Sequence, residues 1–213
     1  MGYVKARMQE QFTDHQKEIM NACRYLYLEG GYDNVNFKEI AKMTSFTRLT
    51  INTYYKTKDE ILLDVLKVEL IRLNEELMEH TKEQKHLSNK MFARFLTTLL
   101  TQNDLLLSLI SILYTFLENN SSLEKVTEFK DVILTSSAIL EQILERYYPD
   151  SSKHQRVTFI NAIFSYIMGL YPMSHLSEKQ KEAIKRTGIA FEQPNFQFMC
   201  EHGIYRLMGE LST

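Results

Sequence analysis

A run of polar side chains lies between positions 47 and 58 of the sequence, in a stretch that holds neither glycine nor proline. It consists of Thr47, Arg48, Thr50, Asn52, Thr53, Tyr54 and Lys58. Hydroxyl, amide and guanidinium groups donate hydrogen bonds to phosphates, and they also read the edges of bases in a major groove. The chemistry that these residue types predict is therefore contact with double-stranded DNA.

A local excess of positive charge supports this prediction. Between positions 38 and 58 five basic residues stand against one acidic residue, whereas the 213-residue chain has a net charge of −2. Because the overall charge gives no hint of nucleic acid, such a function must depend on a patch of this kind. The basic residues are Lys38, Lys42, Arg48, Lys56 and Lys58.

Two short helices are predicted to present these side chains. Asn36 caps the first, which ends near Met43, and the second runs from Thr47 to about Tyr54 after the turn 44–46. A longer helix precedes them and another follows, which is the pattern of a helix-turn-helix. An ordinary helix pair with a solvated basic face would show the same spacing, so the spacing alone leaves both interpretations open.

The flanking helices have signals of their own. The preceding helix is predicted over residues 13–28, where a glycine pair ends it. Thr57 and Glu60 form a predicted capping box that opens a long helix over residues 58–81.

One segment of the chain, Ile19–Leu66, resembles the DNA-binding domain of the tetracycline-repressor (TetR) family of bacterial transcription regulators. The matching motifs are EGGYDNVNFKEIA, the T-x-x-T at positions 47 and 50, and TYYKTKDEIL. The resemblance implies a regulator that binds an operator, with Thr47–Tyr54 as the recognition helix and Lys58 on phosphate. It places four residues on the DNA-facing side, namely Thr50, Asn52, Thr53 and Tyr54.

Three positions depart from the family pattern. The family usually has glycine where Ser45 stands, a small residue where Leu49 stands, and often an aromatic residue where Asn52 stands. Ser45 must then adopt a less comfortable backbone conformation, or the turn must differ. Leu49 adds bulk near the DNA and Asn52 favours adenine, so these departures bear on the operator sequence and not on the binding mode.

The remainder of the chain is also predicted to be helical, which makes the fold class all-α. The expected organisation is a helix-turn-helix domain over residues 1–57, a connecting helix over 58–81, and an effector-binding and dimerisation domain over 82–213. Apolar residues at helical spacing, capping residues and prolines mark the helices of the last domain. These predicted helices are 91–102, 104–118, 122–148, 152–171, 178–187 and 195–211.

The last two long helices resemble those with which this family pairs two subunits in a four-helix bundle. Residues 156–171 carry two apolar stripes, so this helix needs both its own core and a second chain as partners. Gly169 and Gly203 lie inside predicted helices, where close helix approach would offset a cost of about 1 kcal/mol against alanine. The alternative is that both glycines mark helix ends or kinks. The predicted homodimer interface is Ile160, Phe164, Ile167, Met168, Gly203 and Leu207.

By the same resemblance, the middle helices enclose a cavity for a small-molecule effector. The predicted lining is Phe92, Phe95, Tyr114, Phe116 and Tyr166. A stripe of rings at helical spacing is also what a plain core shows, so that alternative stays open. Few charged residues accompany these rings, which predicts a largely apolar or aromatic effector that accepts one or two hydrogen bonds from tyrosines.

Other classes of function lack their signatures. The histidines and cysteines form no metal-ligand pattern, and the sequence has no glycine-rich phosphate loop and no nucleophile motif, so we expect no enzyme, cofactor or metal. Cys23 and Cys200 are expected as small core residues in a reducing cytoplasm. Met1–Asp14 shows no signal peptide, and the apolar run Leu105–Leu117 is too short to span a membrane.

These patterns predict a cytoplasmic, dimeric repressor that a small apolar effector releases from its DNA operator. The alternative is a helical protein-interaction module with a vestigial DNA-binding domain. The two hypotheses differ in one respect that is simple to measure, because the second protein would fail to bind the DNA upstream of its own gene.

Overall fold

The structure is a computed structural model that describes residues 12–82 and 87–211. The described residues form helices and contain no strand, which confirms the all-α prediction. The segment Met1–Asp14, for which no signal peptide was expected, lies mostly outside the described residues. The α-helices are α1 (Asp14–Asn34), α2 (Phe37–Met43), α3 (Arg48–Tyr54), α4 (Lys58–Thr81), α5 (Asn89–Thr101), α6 (Asp104–Ser111), α7 (Leu123–Tyr147), α8 (Lys153–Ser174), α9 (Glu178–Thr187) and α10 (Phe196–Leu207).

The chain divides into two compact units. The first holds the described residues up to Arg72 together with Ile112–Leu134, and the second holds Leu73–Ser111 and the residues from Thr135 onward. The first unit therefore contains the helix-turn-helix and, in addition, a segment from the 82–213 region of the sequence. Each unit has an apolar core. Fully buried members include Ile19, Cys23, Ile40, Ile51 and Leu66 in the first unit, and Phe92, Leu106, Cys200 and Ile204 in the second.

The glycine pair kinks α1 instead of ending it, contrary to the prediction. Gly30 and Gly31 interrupt the helical backbone, and α1 then continues to Asn34. The φ of 69° at Gly31 is a left-handed conformation, which glycine adopts without steric cost. The side chain of Asn34 donates a hydrogen bond of 2.9 Å to the carbonyl of Leu26, which ties the last turn of α1 to the part before the kink.

Both short helices are capped at their start, the first by Asn36 as predicted and the second by Thr47. The Asn36 side chain accepts a hydrogen bond from the backbone N–H of Glu39 at 3.0 Å, and Thr47 accepts one from the N–H of Thr50 at 3.1 Å. These bonds satisfy amide groups that a helix start leaves without partners. At α4 the pattern differs from a capping box, because the carboxylate of Glu60 accepts from the N–H of Lys56 at 2.6 Å.

Residues 104–118 do not form the single helix predicted. α6 ends at Ser111, and a π-helical turn, Leu113–Leu117, follows it. In this turn the N–H groups of Leu117 and Glu118 bond to carbonyls five residues earlier, at 3.3 and 3.0 Å. Wider turns of this kind occur often at functional sites.

The sequence predicts that this helix ends at residue 171, but Pro172 lies inside α8. Proline has no N–H and removes a helical hydrogen bond, and α8 continues for only two residues beyond it, to Ser174. α8 is long and apolar enough to cross a membrane, a property that the core helix of a soluble protein shares. Eight of its residues are buried in the structure.

Candidate nucleic-acid interface

The predicted recognition helix, α3, packs through its apolar side and exposes its polar side. Ile51 and Tyr55, at the end of the helix, are both 0% exposed. The opposite side is solvent-exposed, and Leu49 stands out because 78% of its surface is accessible. The other exposed residues of α3 are Arg48, Asn52 and Thr53. The helix therefore offers a guanidinium, an amide, a hydroxyl and an apolar tip on one surface, which is what base and phosphate contacts require.

All three predicted threonines also make local hydrogen bonds. The hydroxyls of Thr47 and Thr50 lie 2.9 Å apart, and Thr47 caps the helix as described above. The hydroxyl of Thr53 donates to the carbonyl of Thr50 at 2.7 Å. Thr47 lies at the exposed start of the helix and Thr50 is half-buried.

The turn before α3 is held by a residue that the sequence did not single out. One carboxylate oxygen of Glu18, in α1, accepts from the backbone N–H of Ser45 at 2.6 Å, and the other accepts from its hydroxyl at 3.3 Å. No non-glycine residue has a positive φ in the described part of the chain. Ser45 therefore does not adopt the left-handed backbone conformation that favours glycine.

Tyr54 is oriented by α1. Its hydroxyl lies 2.7 Å from Nδ1 of His15, and the His15 ring meets the Phe46 ring edge-on at 4.8 Å. This cluster fixes the end of α3 against α1 and leaves Tyr54 half-buried. The sequence predicts the helices that carry these residues but not their contact, because they are up to 39 positions apart.

Lys58, the predicted phosphate ligand, has partners within its own unit. Its Nζ donates to the carbonyl of Tyr32 at 2.7 Å and lies 3.6 Å from the centre of the Tyr32 ring. The Tyr32 hydroxyl donates in turn to Asp59 at 2.7 Å. Burial and the interaction with Asp59 raise the pKa of Tyr32, so the phenol stays a neutral donor. The amine of Lys58 is thus placed beside the kink of α1, and its contact with phosphate stays a prediction.

The other members of the basic patch differ in their surroundings. Lys38, Arg48 and Lys56 are exposed, and Nζ of Lys56 donates to the carbonyl of Asn52 at 3.0 Å. Lys42 pairs with Glu39 at 2.8 Å, which reduces its share of the local positive charge. The charge available to phosphates therefore depends mainly on Lys38, Arg48 and Lys56.

The residues predicted for the dimer interface separate into two sets. Ile160 and Ile167 are only 9% and 5% exposed, so they belong to the core of their own unit and leave little surface for a partner. Their assignment to the interface stays a prediction, and the sequence pattern does not show which of the two apolar stripes of α8 faces the core. The other four residues, Phe164, Met168, Gly203 and Leu207, are half-buried.

Exposed apolar side chains on α10 were missed by the sequence analysis. Phe198 and Tyr205 are 66% and 50% exposed, and the His202 ring stacks on Phe198 with centroids 5.9 Å apart. The spacing of these three residues, four and then three positions, places them on one side of the helix. This spacing is the feature of the sequence from which the exposed apolar side of α10 could have been predicted.

Gly203 is required by close packing inside the chain. A Cβ at this position would lie 2.4 Å from the ring of Tyr166. The Tyr166 hydroxyl donates to the carbonyl of Met199 at 2.8 Å and fixes the ring over the glycine. Close helix approach thus accounts for Gly203, whereas a Cβ at Gly169 would meet nothing within 4 Å.

The five predicted effector residues belong to different units. Phe92 is 0% exposed and its ring lies 6.4 Å from that of Phe95, whereas Tyr166 packs on Gly203. Tyr114 and Phe116 belong to the first unit and are 47% and 43% exposed. Their assignment as effector ligands therefore stays a prediction.

The second unit contains an open cavity of about 480 Å³. None of the five predicted effector residues lines it. Its walls come from the end of α5, the start of α6, the end of α8 and residues 193–197. Within the described residues no group of histidine, cysteine or acidic side chains is placed to hold a metal ion.

Comparisons with known proteins agree with this architecture. A family model described as tetracyclin repressor-like, C-terminal domain, matches residues 67–207. No curated protein matches the sequence at a significant level.

Solved structures share the fold over nearly the whole chain. The fatty acid degradation regulator FadR from Bacillus halodurans superposes with a TM-score of 0.57 at 13% identity, covering 93% of this chain and 96% of that one. A TetR-family regulator from Mesorhizobium loti gives 0.53 at 14% identity, with 91% and 95% covered. FadR from Bacillus subtilis in complex with stearoyl-CoA gives 0.50 at 17% identity, with 90% and 96% covered.

Proposed function

Because the chain belongs to the tetracycline-repressor-like family, we propose that it is a dimeric, ligand-responsive repressor that binds operator DNA in the cytoplasm. The family and its fold are those of transcriptional regulators and not of enzymes. The observation that carries the proposal is the anchored helix α3, whose buried side holds Ile51 and Tyr55 and whose exposed side presents Arg48, Leu49 and Asn52. This helix enters a major groove, and the exposed lysines contact the flanking phosphates.

Two copies bind one operator. Recognition helices of a helix-turn-helix dimer enter successive major grooves, roughly 34–36 Å apart on one face of the duplex. The exposed rings of Phe198 and Tyr205 on α10, with the half-buried Phe164 and Met168 of α8, supply the apolar surface for the second chain. Such a contact has two-fold symmetry and needs at least about 1,200 Å² of total buried surface.

The link between α3 and α4 is the point at which a signal reaches the DNA-binding helices. The Glu60 carboxylate, 3% exposed, accepts from the N–H of Lys56 at 2.6 Å and from the N–H of Ser122 at 3.1 Å. The Thr57 hydroxyl donates to the carbonyl of Asn120 at 2.9 Å. A shift of the segment after the π-helical turn therefore moves the end of α3. An effector acts through this link only if it binds the DNA-free state more tightly.

The effector is a small, largely apolar or aromatic molecule that contacts Phe92, Phe95, Tyr114, Phe116 or Tyr166. These rings supply apolar surface, and the two tyrosines add hydroxyl groups. The Tyr166 hydroxyl already donates to the carbonyl of Met199, so it can only accept from a ligand in this arrangement. The Bacillus subtilis FadR structure contains stearoyl-CoA, which makes a long-chain acyl-CoA a reasonable first probe alongside smaller apolar compounds.

Titration of labelled DNA from upstream of the gene tests the proposal. We expect two chains per duplex, tighter binding than to scrambled DNA of equal length, and an affinity that falls as salt is raised. Equal affinity for both duplexes would favour the alternative, an interaction module with a vestigial DNA-binding domain. Thermal-shift screening with and without operator then identifies effectors, because a releasing ligand must bind the DNA-free protein more tightly.

A further inference from the structure

We propose that the cavity of the second unit is a binding site for a small organic cation, separate from the residues assigned to the apolar effector. Its volume of about 480 Å³ lies within the usual range for small-molecule sites, which is about 300–1,000 Å³. The cavity is open to solvent, so a ligand can enter without unfolding of any helix.

A carboxylate and aromatic rings form the cavity together. Asp104, His175 and Phe196 all line it. The Tyr171 hydroxyl donates to Oδ1 of Asp104 at 2.9 Å, and the Tyr171 ring stacks on that of His175 with centroids 4.1 Å apart. Phe196 meets the rings of Tyr171 and His175 edge-on, at 5.9 and 5.8 Å. The carboxylate is thus fixed in orientation beside a cluster of three rings.

This combination favours positive charge on the ligand. Nε2 of His175 also lies 4.0 Å from Oδ1 of Asp104, and the Asp104 side chain is exposed. A carboxylate has about four acceptor positions, so these two contacts leave Asp104 able to accept from a ligand. Aromatic faces attract ammonium groups electrostatically. The residues lining the cavity include neither lysine nor arginine, so an anionic ligand would find only neutral donors and the imidazole of His175 there.

The remaining walls provide neutral hydrogen-bonding groups. Gln193, Asn195 and Gln197 carry amides, and the Gln193 amide also donates to the carbonyl of Ser174. This last bond holds the segment before α10 against the end of α8. Because Asp104 opens α6, the partial positive charge of the helix start offsets part of its charge. A cation therefore needs the rings as well as the carboxylate.

Calorimetric titration of the full chain without DNA tests the proposal. The probes are choline, benzyltrimethylammonium and 3,3-dimethyl-1-butanol, the neutral carbon isostere of choline. We expect both cations to bind and the neutral alcohol to bind at least tenfold more weakly. Equal binding of choline and the alcohol, or no binding of either cation at millimolar concentration, would overturn the assignment.

Matched variants locate the site. Asp104→Asn keeps an acceptor for Tyr171 and removes the charge, and it should weaken cation binding at least tenfold. His175→Ala should weaken it about three- to tenfold, whereas His175→Phe should retain it. Asp131→Asn, at an exposed position of α7, serves as the control and should have no effect. Cation binding that survives Asp104→Asn unchanged would place the ligand elsewhere and overturn the proposal.

Because these titrations need no DNA, their failure would leave the regulator function untouched. Conversely, a protein that fails to bind operator DNA would still be expected to bind the cations.

Discussion

We expect individual side chains of α2 and α3 to contact either bases or phosphates. Asn52 is exposed at the middle of the helix, and a carboxamide can pair with two atoms of an adenine edge. Leu49, one turn earlier, offers an apolar surface of the kind that contacts a thymine methyl group. We assign the positive charges of Arg48 and Lys38 to phosphates. We therefore expect sequence preference to depend on Asn52 and Leu49, and general affinity to depend on Arg48 and Lys38.

Asn52→Ala should therefore change preference more than affinity. We expect a loss of about 1–3 kcal/mol on the operator, concentrated at one base pair, and little change on scrambled DNA. Arg48→Ala should weaken binding to both duplexes and reduce the salt dependence by about one phosphate contact. Gel shifts on the two duplexes at several salt concentrations measure both effects. An Asn52→Ala protein that loses affinity equally on both would show that the residue does not read a base.

At the scale of helices, the sequence predicted elements whose signals are local. α4 has the predicted bounds because apolar periodicity and the cap at Thr57 define it within a few residues. α9 has them because Ser177 caps its start and Gly188 ends it. What it could not predict depends on partners distant in the chain. Glu18 accepts a hydrogen bond from Ser45, which is 27 positions away in the sequence. The apolar spacing also does not indicate that a π-helical turn follows Ser111. The assignment of the π-helical turn to the first unit likewise depends on tertiary contacts, which the sequence pattern does not show.

The link made by Glu60 predicts a dependence of stability on pH. Burial raises the pKa of the Glu60 carboxyl, but hydrogen bonds from Lys56 and Ser122 outweigh this and lower the pKa overall. Its ordinary value is about 4.3, so the stabilisation is complete above that pH and is lost as the pH falls through the lower folded-state pKa. Glu60→Gln should reduce the free energy of unfolding by about 1–3 kcal/mol at pH 7.

Denaturant unfolding between pH 3 and 7 measures this difference. The gap between the wild-type protein and Glu60→Gln should narrow as the pH drops below about 4. Glu124→Gln, at an exposed position in the first turn of α7, is the control and should leave the profile unchanged. A constant gap at every pH would show that the charge of Glu60 is irrelevant to the link.

The two helical glycines of the second unit provide a matched pair for packing. Gly203→Ala places a methyl group against the Tyr166 ring and should cost about 1–3 kcal/mol of stability. Gly169→Ala meets open space, so the gain in helix propensity should stabilise α8 by up to about 1 kcal/mol. Thermal unfolding of both variants at low protein concentration tests the pair. Equal changes in the two proteins would contradict the packing account of Gly203.

At the scale of the whole molecule, the proposed function requires two copies of the chain on one operator. Ile160 and Ile167 leave little surface for a partner because their own unit largely buries them, so we expect the interface to depend on residues that the single chain leaves exposed. Phe198 and Tyr205 meet that condition on α10. An apolar surface on a helix near the chain's end, in a family of regulators, is best explained by a second copy of the same chain.

Phe198→Glu should therefore produce folded monomers. The side chain is 66% exposed in the single chain, so a glutamate there should leave the secondary structure and most of the stability intact while it opposes burial in a dimer. Leu123→Glu, at a position that is 77% exposed in the first unit, is the control and should stay dimeric. Light scattering gives the mass, and DNA titration should show that the monomers lose at least 100-fold in operator affinity, because a single recognition helix then contacts one half-site. A Phe198→Glu protein that keeps the dimer mass and operator affinity of the wild type would move the interface away from this face of α10.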